Sequence, residues 1–119
     1  MEWREWQIEI EPEVATWLED LSAPHFDEAR EAIERLAATG HRARMPLSRP
    51  LGGGLFELRF TAEGVARRIT YWHADWRPGL IVLLTTFRKQ RQVERREIVR
   101  ARRALDHCRE RHAQEARHE

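Results

Sequence analysis

Apolar residues alternate with polar ones from Trp6 to Glu11: Trp6, Ile8 and Ile10 on one side, Gln7, Glu9 and Glu11 on the other. That period of two predicts a strand with one buried face. Pro12 follows, a residue suited to the first position of a helix. Val14, Trp17, Leu18 and Leu21 then recur at helical spacing until Ser22, Ala23 and Pro24 interrupt them. Phe26, Ala29, Ile33, Leu36 and Ala37 form a second helical stripe, with Gly40 as its C-terminal stop. Glu13, Glu19, Asp20, Asp27, Glu28, Glu31 and Glu34 fall mostly on the solvent side of these two helices.

From His41 to Gly54 no period is visible, and Pro46, Pro50 and Gly52 to Gly54 predict a loop. Phe56, Leu58 and Phe60 then alternate with Leu55, Glu57 and Arg59 as a strand, and Thr61 to Val65 read as a turn. Ala66 to Trp72 is the next strand, with Ile69 and Tyr71 on one face and Arg68, Thr70 and Trp72 on the other. After a turn at Asp75 to Gly79, the nearly all-apolar run Leu80 to Phe87 predicts a strand covered on both faces. Gln92 to Glu115 is helical, its narrow apolar stripe being Ile98, Ala101, Leu105 and Cys108. The predicted class is α+β: a small antiparallel sheet of three to four strands, an N-terminal helical hairpin on one face and a basic C-terminal helix. Residues 1–119 form one domain, with fraying expected from Arg111 to Glu119.

Composition fits this picture. At 119 residues and 41% hydrophobic, the chain can build one core and is not disordered by composition. No apolar run approaches the ~20 residues that span a bilayer. The first five residues lack a secretory pattern, and the lone Cys108 has no internal disulfide partner, so a soluble cytoplasmic protein is expected.

Charge changes the picture more. The net charge is only +1, yet residues 1–40 hold 11 Asp and Glu against 3 Arg, while residues 41–119 hold 18 Lys and Arg against 9 Asp and Glu. One acidic end and one basic end create an oriented field, and a concentrated basic surface attracts phosphate backbones. The densest stretch runs from Arg88 to Arg103, where eight cations face only Glu94 and Glu97.

Three short motifs follow one another in order. Leu51 to Arg59 (Leu-Gly-Gly-Gly-Leu-Phe-Glu-Leu-Arg) is a Gly-rich turn feeding a strand that ends in Arg. Arg68, Ile69, Thr70 and Tyr71 lie on the next strand. Leu83 to Lys89 (Leu-Leu-Thr-Thr-Phe-Arg-Lys) leads into the basic helix. This set resembles the RelE/ParE toxin superfamily, most closely its phage-derived, HigB-like branch, and the resemblance covers nearly the whole chain. That branch commonly continues Phe-x-Lys with a second Lys and a Thr/Pro-containing segment, whereas Gln90, Arg91, Gln92 and Val93 follow Lys89 here. The resemblance implies the toxin of a type II toxin–antitoxin system. RelE-like and HigB-like members are endoribonucleases, mRNA interferases that inhibit translation on the ribosome. ParE-like members instead inhibit DNA gyrase without catalysis, and an inactive relative that only binds antitoxin is a third reading. A cognate antitoxin, often a helix-turn-helix protein, is the implied partner beside ribosome and mRNA, with no membrane.

The residues carry a chemistry that matches. RNA cleavage without metal or other cofactor needs a base for the 2′-hydroxyl, cations for the pentacoordinate phosphate and an acid for the leaving oxygen. Glu57 and Arg59 share a strand face, Arg68 lies on the neighbouring strand, and Lys89 follows the third. Arg59 and Arg68 suit phosphate clamping because a guanidinium fork matches phosphate oxygens. Lys89, among arginines that disfavour its charged form, suits proton transfer. Glu57 is a second candidate base, or simply a partner of Arg59. Arg88, Arg91, Arg95 and Arg96 are candidate RNA contacts; Trp72 and Phe87, with Trp76, are candidate stacking platforms for splayed bases. Tyr71 reads more simply as core and His73 as structural. His107, Cys108 and His112 lack a further ligand set for a metal, and Cys108 completes an apolar stripe.

Overall fold

The computed structural model describes residues 5–90 and 94–117. In chain order it contains β1 (Gln7–Ile10), α1 (Pro12–Glu19), α2 (Ala23–Thr39), a 3-10 turn (Gly40–Arg42), β2 (Ser48–Gly52), β3 (Leu55–Ala62), β4 (Val65–His73), β5 (Leu80–Arg88) and α3 (Glu94–Arg117). The strands form one sheet in the order β1-β5-β4-β3-β2, in which β1 runs parallel to β5 and every other pair is antiparallel.

This corrects the expected sheet in two ways. It has five strands rather than three to four, and it is mixed rather than purely antiparallel. The additional strand is β2, which falls in the stretch read as a loop. Pro50 hides it, yet Pro is tolerated there because β2 lies at the sheet edge. Its pairing with β3 skips one residue between Pro50 and Gly52, and Gly53 and Gly54, both at positive φ, make the turn.

The two faces of the sheet are covered separately. Val14 and Leu18 of α1 and Ala29, Ala32 and Leu36 of α2 pack on Leu58, Ile69, Tyr71, Ile81 and Leu83. On the opposite face Ala101, Leu105 and Cys108 of α3 pack on Leu55, Trp72, Val82 and Leu84. The C-terminal helix therefore lies across the sheet as a third layer. It also continues to Arg117, so the segment expected to fray from Arg111 is helical through that residue. Every residue of β5 except Arg88 is buried, as its sequence predicts for a strand with both faces covered.

Polar contacts fix α3 in place. Arg100 pairs with Glu13 of α1 and with Glu97, and donates to the Thr86 carbonyl at 3.1 Å. Arg111 pairs with Glu11 at 2.8 Å. Arg102 donates to the carbonyls of Leu51 at 2.6 Å and Gly52 at 3.0 Å. Part of the basic run thus makes internal contacts instead of facing solvent along its length.

One irregularity positions side chains for the site. Thr70 pairs with Thr85 but Tyr71 with Leu83, so Leu84 is an extra residue in β5. A bulge of this kind re-aims the side chains that follow it. Thr85 then meets the Thr70 hydroxyl, and Phe87 lies opposite Arg68.

Candidate functional site

Strand alternation sends Leu55, Glu57 and Arg59 to the face that α3 covers, and places Glu57 opposite Arg49 of β2 and Thr70 of β4. Arg59 lies opposite Arg68. The result is a carboxylate ringed by three guanidinium groups: Glu57 Oε1 is 2.9 Å from Arg49 Nε, 3.7 Å from Arg59 Nη1 and 3.7 Å from Arg68 Nε. Glu57 is fully buried and Arg68 is 5% exposed, whereas Arg49 and Arg59 reach solvent. Among the described residues, both Glu57 oxygens and the Nε atoms of Arg49 and Arg68 lack an aligned hydrogen bond despite this proximity. Burial lowers the Arg68 pKa from its usual value, and the Arg59 and Arg49 charges push the same way against Glu57 and Glu94.

Three cations around one carboxylate form a cradle with a local excess of positive charge, and guanidinium forks match the paired oxygens of carboxylates and phosphates. The structure brings together Glu57, Arg59 and Arg68 as their spacing predicts. The Glu57 carboxylate itself has no solvent exposure and lies beneath its arginines. Lys89 emerges exposed beyond Phe87, roughly 7 Å further along the strand direction than the Arg68 position. Its amide donates to the Ala66 carbonyl at 2.9 Å.

Arg88 is exposed at the end of β5. Arg95 and Arg96 are exposed on α3 and line a shallow groove with Val99 and Arg103. Arg91 lies outside the described residues. The expected stacking platforms require correction. Trp72 is 1% exposed and Phe87 7% exposed. Trp72 is sealed because α3 packs on it and the Arg109 guanidinium sits 4.8 Å above its ring. Trp76 keeps partial exposure but stacks on His112 at 3.7 Å between ring centroids. His73 lies within an aromatic group of Trp6, His41, Phe56 and Tyr71, consistent with a structural histidine.

Arg49 is the site residue that sequence reasoning missed. A signal was present: the paired glycines Gly53 and Gly54 are a hairpin turn, and a hairpin folded there sets the residues before Gly52 against Leu55 to Arg59.

Comparison with known structures identifies the architecture. A chain of the intact Escherichia coli RelBE toxin–antitoxin complex superposes with a TM-score of 0.53 at 9% identity, covering 72% of this chain and 99% of that one. The E. coli toxin RelE in the free state, a double Arg-to-Ala mutant, gives 0.55 at 7% identity, with coverages of 87% and 97%. A chain of the toxin–antitoxin complex RelBE2 from Mycobacterium tuberculosis gives 0.51 at 19% identity, with coverages of 71% and 99%. At these identities the likeness shows the fold alone. No curated protein matches the sequence. The family model described as phage derived protein Gp49-like matches residues 16–106. That match runs from α1 into α3 and contains Arg49, Glu57, Arg59, Arg68 and Lys89, so the chain belongs to the phage-derived Gp49-like protein family and carries the RelE fold.

Proposed function

We propose that this chain is the toxin of a type II toxin–antitoxin pair and that it cuts messenger RNA on the ribosome. The observation that supports this reading most is the arginine cradle on the α3 face of the sheet, where Arg59, Arg68 and Arg49 surround a buried carboxylate. In such a cradle the scissile phosphate is held by the solvent-reaching Arg59, and the buried Arg68 adds its charge from beneath. The 2′-oxygen attacks phosphorus, the bond to the 5′-oxygen breaks, and the guanidiniums stabilise the charge that grows on the non-bridging oxygens. Lys89 at the open rim carries the proton, and Glu57 holds the arginines in orientation. The exposed Arg95 and Arg96 of α3 extend the positive surface along the RNA path, whereas Arg88, the register partner of Arg67, lies on the opposite face of the sheet from Arg68.

The charge layout favours the same docking direction. The solvent side of α2 carries Asp27, Glu28, Glu31 and Glu34 on the far side of the sheet, so a polyanion approaches with the cradle in front. The two RelBE complexes contain an antitoxin, which makes a neutralising partner protein the expected companion of this chain.

Induced expression followed by primer extension on cellular mRNA tests the proposal. Cuts at codon-linked positions that vanish in folded Arg68→Ala and Lys89→Ala variants are expected. Intact mRNA together with blocked DNA supercoiling makes the chain a gyrase inhibitor instead.

A further inference from the structure

The cradle has an occupant of its own. Arg49, besides approaching Glu57, holds the carboxylate of Glu94 of α3 through its Nη2. This contact links the edge strand to the basic helix, and neither partner is buried: the Arg49 and Glu94 side chains are 37% and 36% exposed. Glu94 also acts electrostatically on Arg68 at the cradle floor. With Glu94 present, three guanidiniums meet two carboxylates; without it they meet only Glu57. Among the described residues, Arg68 Nε and both Glu57 oxygens lack an aligned partner.

We infer that Arg49 is a third phosphate-binding arginine of this site, and that Glu94 is an internal anion that an RNA phosphate displaces from it. A carboxylate and a phosphodiester each offer two oxygens and one negative charge to a guanidinium fork. A solvent-exposed ion pair is weakly held, so the exchange is easy. Release of Glu94 adds one unit of positive charge to the cradle when RNA arrives, and it frees the end of α3 that carries Arg95 and Arg96. Bound RNA and the Glu94 contact therefore exclude each other, and Arg49 is where they compete. The inference rests on the RNA-cleaving reading for its ligand but not on cleavage itself.

The test is fluorescence anisotropy of a labelled single-stranded 2′-O-methyl RNA, which binds without being cut. Glu94→Gln is expected to tighten binding about two- to fivefold, the scale of the exposed ion pair that RNA no longer has to displace. Arg49→Ala should make the log–log salt dependence shallower by about 0.7, one phosphate fewer neutralised on a single strand. Glu110→Gln removes the same charge as Glu94→Gln from an exposed position elsewhere on α3 and should not tighten binding. In an Arg49→Ala background Glu94→Gln should lose its effect; if that background does not fold, Arg49→Lys, which keeps the cation but not the fork, should show a reduced effect. Equal behaviour of Glu94→Gln and Glu110→Gln overturns the inference, as does a Glu94→Gln gain that persists undiminished without the Arg49 guanidinium. Failure of the wild-type chain to bind this RNA at low salt overturns it together with the reading it rests on. Binding with the expected Glu94 response but no mRNA cleavage in cells supports the inference and removes the nuclease.

Discussion

Arg49 and Glu57 are register partners across the β2–β3 ladder, and Arg49 Nε lies 2.9 Å from Glu57 Oε1. The pair ties an edge strand to a carboxylate with no solvent exposure, on which Arg59 and Arg68 also converge. Removing the carboxylate charge leaves Arg68 buried without the carboxylate that lies 3.7 Å from its Nε. Breaking one side of a buried ion pair costs about 3–5 kcal/mol, so Glu57→Gln should lower unfolding free energy by roughly that amount. Urea denaturation followed by far-UV circular dichroism measures it. A change below 1 kcal/mol would mean that the arginines do not depend on Glu57.

Gly40 ends α2 with φ of +52°, and a Cβ placed there would lie 1.9 Å from Trp6 Nε1. Both the backbone and the space demand glycine. The strained backbone alone costs about 1–3 kcal/mol for an L side chain, and the indole must also leave its seat. Gly64→Ala is the control, because Gly64 has φ of +72° but nothing within 4 Å of a new Cβ. Gly40→Ala should therefore destabilise more than Gly64→Ala and should shift tryptophan fluorescence, whereas Gly64→Ala should leave the emission unchanged.

Much of the site can be read from periods of two. Glu57 and Arg59 alternate with Phe56, Leu58 and Phe60, and Arg68 with Ile69, and those rules alone place the three charged residues on one face. The third layer is less visible. Ala101, Leu105 and Cys108 make a narrow stripe that reads as a half-solvated helix. Leu80 to Phe87, however, is apolar on both faces, and one helical hairpin can cover only one of them; α3 is the missing cover. That coverage is also why Trp72 is not a base platform, since alternation puts it on the face of Arg68 without saying what lies above it. The β2 strand and the parallel pairing of β1 depend on contacts distant in sequence. Pro50 masks the first, and the second joins Gln7 to Leu80.

His73 is held neutral in its aromatic group. Burial, and then the facing His41 ring 3.8 Å away, lower its pKa from 6.5 to about 4. An unfolded histidine takes up its proton near pH 6.5, so between pH 6.5 and 4 the unfolded state binds more protons than the folded one. The stability contributed by neutral His73 is present above pH 6.5 and is lost as pH falls toward 4. His73→Phe should flatten that part of the stability profile relative to wild type, as read from urea midpoints at pH 7.5, 6 and 5. Parallel profiles for the two proteins would show that His73 does not titrate on unfolding.

Cys108 sits 1% exposed under α3, and burial, followed by the nearby Glu11 carboxylate, pushes its thiol up to about 11. The thiolate is the reactive form. At pH 8 only about one molecule in a thousand carries it, and a reagent must also pass between α3 and the sheet. The folded protein should therefore react with a disulfide reagent such as DTNB orders of magnitude more slowly than the same chain in urea. The Arg111–Glu11 ion pair helps hold this part of α3 against the sheet. Arg111→Ala should speed the reaction several-fold by favouring local opening, while Arg117→Ala, at the far end of the helix, should not. Rapid modification of the wild-type chain at pH 8 would show that α3 does not rest on the sheet in solution.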